Sequence, residues 1–224
     1  MIRFSLFAAL TLCMTLVTAA VADELPANGY IGVFGDAAGT NCCVSLNSAG
    51  NGKLHVVMVT GGASSEGISG AEFKISIEPP APGASFNWKP SNTVSASTGN
   101  PVDNGNGGGA FITMKTCQTE TGLAGDKVTL GELQVNGLTG EHQIIVRRAD
   151  APVNAAFTCP SVLLCDAPAY TQVCLTLKEG DSALNGEQAA AFVTAINSPN
   201  CAGASCGFVA TEEKTWSTVK SLFQ

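Results

Sequence analysis

Beyond residue 22, the apolar residues of this 224-residue chain come in strand-length runs, each closed by Gly, Asn, Pro or Ser. Such punctuation leaves no room for long helices and predicts short strands joined by turns. Tyr30–Phe34 begins the series. Leu54–Thr60 is apolar on both faces, as in a central strand. Ala71–Glu78 is the sharpest: Phe73, Ile75 and Ile77 alternate with Lys74, Ser76 and Glu78, giving one buried and one wet face. Pro79, Pro80 and Pro82 end it, because proline donates nothing to a ladder.

Residues 83–109 read as a long polar connection with Trp88, a short strand at Thr93–Ala96 and a flexible tip at Asp103–Gly109. Ala110–Lys115 resumes alternation, with Ile112 and Met114 inward. In Val128–Val135 the apolar parity slips: Val128 and Leu130 share one face, Leu133 and Val135 the other. Gly131-Glu132 sits at the slip, which predicts a β-bulge. The Gly-rich turn Asn136–Gly140 then leads into a strand over His142–Arg148, a hairpin signal. Val162–Cys165 and Tyr170–Leu177 are the last clear strands. Glu187–Ile196 begins like a helix and ends like a strand, and Thr215–Phe223 carries Trp216, Val219 and Phe223 at helical spacing. No internal repeat is evident, and strands do not alternate with helices. The expected class is all-β: an antiparallel two-sheet sandwich with a short C-terminal helical appendix.

The first residues set the compartment. Met1-Ile2-Arg3 is a positive end, Phe4–Val17 an apolar run, and Ala20-Val21-Ala22 a small-x-small site. The segment reads as a secretory signal cleaved after Ala22. A lipoprotein signal would need a small residue before Cys13, and Leu12 is large. The expected organisation is a signal peptide at 1–22, a sandwich at 23–180, and a Cys-containing extension at 181–224. The expected location is secreted, periplasmic or cell-surface, with no transmembrane segment. Cleavage removes Cys13 and leaves eight of the nine cysteines: Cys42, Cys43, Cys117, Cys159, Cys165, Cys174, Cys201 and Cys206. An even set in an oxidising compartment reads as disulfides. Neighbours Cys42 and Cys43 point apart on an extended chain and call for separate partners, while the other pairings stay open. Zinc would need paired knuckles or nearby histidines, and only Cys201/Cys206 approaches that spacing.

Loss of Arg3 also leaves 10 basic against 18 acidic residues, a net charge of −8 (10 − 18). No basic cluster exceeds Arg147-Arg148, which argues against a nucleic-acid partner.

Two stretches, Gly67–Ile75 and Val128–Val135, resemble the strand pattern of cohesin-like sandwiches, a group with an interaction surface on a jelly-roll or immunoglobulin-like framework. Gly35–Cys42, Cys165-Asp166-Ala167-Pro168 before Cys174, and Thr215–Phe223 resemble a set of uncharacterised exported bacterial proteins with a short Trp-containing tail. These resemblances imply a cohesin-like or immunoglobulin-like fold and export. They carry over no catalytic residue and imply no dockerin partner.

Catalytic patterns fail on inspection. Gly203-Ala204-Ser205-Cys206-Gly207 matches the nucleophile-elbow string, but both histidines precede it and a cysteine sits inside it. His55 and His142 read as edge or surface residues. Glu66, Glu72, Glu78, Asp103, Asp126 and Glu132 are scattered, whereas glycosidase chemistry needs two carboxylates held together. No cofactor is expected. Calcium at Asp103 or Asp36 is the alternative, without the regular acidic spacing of a calcium loop. Trp88 and Tyr30 read as core or anchoring aromatics, with sugar stacking as the alternative. The Trp216 tail reads as docking on the sandwich, with partner recognition or an export tag as alternatives. The expected function is an exported, non-catalytic binding or surface-associated module for an unknown protein or polysaccharide. A small extracellular hydrolase and a self-assembling structural protein are the rivals.

Overall fold

One strand organises the larger sheet of the computed structural model, which describes residues 28–119, 125–153, 158–175 and 193–198. It is β4 (Ile68–Glu78); the strands before it are β1 (Gly29–Phe34), β2 (Cys43–Val44) and β3 (Gly52–Thr60). Those after it are β5 (Ser85–Pro90), β6 (Val94–Asn100), β7 (Val102–Asp103), β8 (Gly109–Gln118), β9 (Lys127–Asn136), β10 (His142–Arg147), β11 (Ser161–Leu164), β12 (Gln172–Cys174) and β13 (Val193–Ile196). The 11 residues of β4 serve four partners. Ala71 lies between Val162 of β11 and Ile112 of β8, and Ile75 lies between Val146 of β10 and Val102 of β7. β12 extends this sheet beyond β11, β6 extends it beyond β8, and β13 and β2 extend it beyond β10. The smaller sheet has the order β1-β3-β9-β5.

The two sheets bury their facing side chains against each other. Ile31, Val33, Leu54, Val56, Met58, Leu133 and Val135 come from the smaller sheet; Phe73, Ile75, Ile77, Ile112, Ile144 and Val162 come from the larger. Trp88 of β5 meets Phe73 of β4 edge-on across the interior, with ring centroids 6.1 Å apart. The fold is therefore the expected all-β sandwich. Its pairing is antiparallel except at β4–β7 and β13–β2, which are parallel.

The bulge falls where the parity slip places it. Val56 faces Gly131 and Val57 faces Thr129, so Leu130 is the extra residue, and Leu130 and Leu133 are both fully buried. The bulge thus lets β9 keep apolar residues of both parities in the core. Gly131 is required there, since a Cβ would lie 2.3 Å from the Trp88 ring and 2.7 Å from the Lys89 carbonyl.

Five expectations need correction. The 83–109 connection contains β5, β6 and β7. In β5, half-buried Phe86, Trp88 and Pro90 alternate with exposed Ser85, Asn87 and Lys89, while β6 is polar because it is an outer strand paired only to β8. The tip at Asp103–Gly109 is tied down: Asp103 accepts from the amides of Gly105 and Gly107, and Gly108 donates to Asp150 at 2.6 Å. The wet face of β4 is covered, with Glu72, Lys74 and Ser76 all buried. The segment following β10 crosses that face: Asp150 bonds Gly108, and Val153 donates to Glu72. Finally, the sheet continues past residue 180. β13, the strand-like end of Glu187–Ile196, pairs with β10 inside the supposed extension. The last strand of the 170–177 run is shorter than expected, Gln172–Cys174, with Tyr170 exposed before it at φ +47°. The segment expected to be a signal peptide, residues 1–22, and the expected helix Thr215–Phe223 lie outside the described residues.

Two disulfides staple the β11–β12 hairpin. Cys117–Cys165 ties its tip to the end of β8, and Cys159–Cys174 closes its base; both have Cα atoms 5.7 Å apart. Cys42 and Cys43 are disulfide-bonded as well, while Cys201 and Cys206 lie outside the described residues.

Two predictions follow from these contacts. Gly131→Ala is expected to cost about 1–3 kcal/mol, the range for overpacking a filled site, read as a lower urea midpoint with unchanged slope. Under increasing reductant, thiol labelling is expected first at Cys117 and Cys165, because Cys117 is exposed and Cys159 is buried. Peptide mapping checks the order.

Candidate functional site

Alternation along three neighbouring strands of the smaller sheet sends one set of side chains inward and leaves a polar set outside. Register then aligns the outer set in rows. Lys53 of β3 faces Gln134 of β9, which faces Asn87 of β5; His55 faces Glu132, which faces Lys89. Asn136 extends the surface opposite Ser85. The β2–β3 turn closes one end. There, Asn47 accepts from the amides of Ala49 and Asn51, and Asn51 accepts from Gly137. The result is a groove of about 510 Å³ lined by Asn47, Asn51, Lys53, Asn87, Lys89, Glu132, Gln134 and Asn136 among others.

Its electrostatics centre on Glu132. Lys53 lies 3.1 Å from the carboxylate and His55 lies 3.9 Å from it. The Lys53 hydrogen bond holds the Glu132 carboxyl below its usual range; slight desolvation opposes this, and the charges of Lys53, His55 and Lys89 add to it. Glu132 is therefore a fixed acceptor near neutral pH. Among the described residues, the side chains of Asn87, Lys89, Gln134 and Asn136 make no hydrogen bond to the protein. Each carboxamide presents a donor and an acceptor outward.

The other half of the same sheet face is closed. Tyr30, Phe34, Val57 and Val59 form a buried cluster with Cys42, so Tyr30 offers no stacking surface. Trp88 points inward to Phe73 and donates to Ser97 at 3.3 Å. Neither aromatic serves the groove.

The remaining candidates have structural partners. His142 has Nδ1 against the Pro79 carbonyl and Nε2 against that of Thr139, at 2.8 and 3.0 Å. Glu78 pairs with Arg147 at 2.6 Å, Glu72 takes Val153 and Gln172, and Thr119 donates to Asp126. Glu66 ends the short 3-10 turn Gly62–Glu66. Asp36 accepts both the amide and the hydroxyl of Thr40, and Asp103 is engaged by Lys74 and two amides, so both calcium candidates already have donors. Among the described residues, no three His, Cys, Asp or Glu side chains cluster as a metal site. Ser205 and Trp216 lie outside the described residues.

The acids that do converge are Asp103 and Asp150, on buried Lys74, at 3.3 and 2.6 Å. Desolvation pushes the Asp150 carboxyl up. The Lys74 hydrogen bond, the Gly108 amide and the charges of Lys74 and Arg148 outweigh it and hold the group below its ordinary range. Burial likewise pulls the Lys74 ammonium down, but bonds to Asp150 and Asp103 and their charges raise it overall. The sequence reading missed this triad and the groove. Its signal was the polar half of each strand's alternation, which is silent about which strands pair.

These elements define the class: a disulfide-stapled β-sandwich with an open polar groove on its smaller sheet. No family model matches the chain, and no curated protein sequence matches it. Among solved structures, the seventh ScaB type I cohesin from Pseudobacteroides cellulosolvens is similar over 56% of this chain and 96% of its own, at 11% identity and a TM-score of 0.32.

The triad gives a pH prediction. A depressed carboxyl contributes stability above its unfolded value, near ~3.9, and loses it as pH falls through the folded value. Asp150→Asn is therefore expected to destabilise the protein at pH 7 and much less at a pH below the folded value. Urea unfolding at both pH values checks this; an equal penalty at both excludes the ion pair as its source.

Proposed function

We propose that this protein is an exported, non-catalytic binding module that holds its ligand in the groove across β3, β9 and β5. One observation carries the reading: three strand-borne carboxamides, Asn87, Gln134 and Asn136, face outward without protein hydrogen bonds beside Lys53, Lys89 and Glu132. Pairing of β3, β9 and β5 fixes the backbones that carry these groups, so a ligand has only their side-chain rotamers left to order. The volume lies within the range of small-ligand and oligomer sites. Glu132, held as a carboxylate by Lys53, suits orientation better than proton transfer near neutral pH. Export is supported by the leader pattern and by the stapled pairs Cys117–Cys165 and Cys159–Cys174.

The test is a broad screen of soluble glycans and proteins with the mature chain. Saturable binding is expected, and Asn87→Ala combined with Gln134→Ala is expected to weaken it about tenfold, the loss of one to two net hydrogen bonds. Thermal stability should be unchanged, since both side chains are exposed and unbonded. Binding indifferent to the pair of substitutions removes the groove from the reading. Turnover of a bound ligand removes the non-catalytic part.

A further inference from the structure

The groove reverses the charge of the molecule around it. The mature chain carries a net charge of −8, yet the groove gathers two ammonium groups, Lys53 and Lys89, around one carboxylate, with His55 beside it. Elsewhere most of the described cations are committed. Lys74 serves Asp103 and Asp150, Arg147 serves Glu78, and Lys127 donates to the carbonyls of Ala38 and Gly39. Lys115 lies on the other sheet, and Arg148 acts on Asp150. Lys89 makes no hydrogen bond among the described residues, and Lys53 uses one of its three donors on Glu132. An acidic surface repels anions at long range, so a local cationic site on it marks a place where a negative group is received.

The rest of the lining says what carries that negative group. Carboxamides offer paired donors and acceptors, which suit vicinal hydroxyls. A peptide would need a desolvated apolar or aromatic anchor pocket, and the one large apolar residue among the lining, Val135, is fully buried with its side chain in the core. We propose that the groove takes an acidic polysaccharide, with a uronate carboxylate on Lys89 and Lys53 and ring hydroxyls on Asn87, Gln134 and Asn136. This rests on the binding-module reading and names its ligand class. Without an aromatic platform in the groove, recognition is by hydrogen bonds and charge alone, and binding weakens with salt.

The experiment is calorimetric titration of the mature protein with oligogalacturonate and alginate oligomers, the methyl ester of the former, and poly-glutamate. The ester keeps the ring hydroxyls and removes the charge. A free uronate oligomer is expected to bind, its ester at least tenfold more weakly. Lys89→Gln is expected to lose about tenfold for the uronate and nothing for the ester, with an unchanged melting temperature as the folding control. An ester that binds as well as the acid overturns the inference while leaving a glycan-binding groove. Poly-glutamate binding as tightly as the uronate also overturns it, in favour of an acidic peptide. If neither uronate binds, the inference fails, and the broader reading is decided separately by the glycan and protein screen.

Discussion

Everything in the larger sheet depends on β4 satisfying four partners at once. A strand paired on both edges and covered on both faces has no place to leave a charge without partners, and β4 buries Glu72 and Lys74 and ends on the half-exposed Glu78. Burying a charge without a partner costs several kcal/mol. The chain resolves this by bringing partners to β4 from distant segments: the Val153 amide and the Gln172 carboxamide to Glu72, Asp103 of β7 and Asp150 of the segment crossing the outer face to Lys74, and Arg147 of β10 to Glu78. Those contacts fix the loops as much as the loops cover the strand. Specificity of register is a reasonable gain from such pairs, because Lys74 meets its two acids in only one alignment.

The smaller sheet is governed by a different constraint, the bulge in β9. The extra residue at Leu130 shifts parity, so that apolar side chains stay inside on both sides of it. The same shift fixes which residues face out. Glu132 and Gln134 stand in the groove because Leu133 and Val135 are buried. Core packing and site geometry thus share one backbone irregularity, and Gly131 is the residue that lets the Trp88 ring lie over it.

Much of the sandwich was legible in the sequence. Strong alternation marks β4, β8 and β9, and the parity slip marks the bulge to within a residue. β5 was not legible, because a half-buried edge strand interleaves Trp88 and Phe86 with Asn87 and Lys89 amid prolines and serines, which reads as loop. The covered face of β4 was misread for a related reason: Lys74 and Ser76 look solvent-facing locally, and the acid that Lys74 meets at Asp150 lies 76 residues away. The groove needs three strands in register before its members meet. Single-strand patterns offer Lys53 and His55, or Asn87 and Lys89, as ordinary exposed residues.

The bond between Cys117 and Cys165 has a mechanical consequence. It closes a span of 48 residues that contains β9 and β10, and hence the central strand of the groove. Pulled from its ends, the oxidised chain cannot draw that span out. Roughly 160 Å of contour stays hidden at ~3.4 Å per residue. Under tension the protein would lengthen elsewhere first, and the strand that carries Glu132 and Gln134 would remain shielded from the load until the disulfide was reduced.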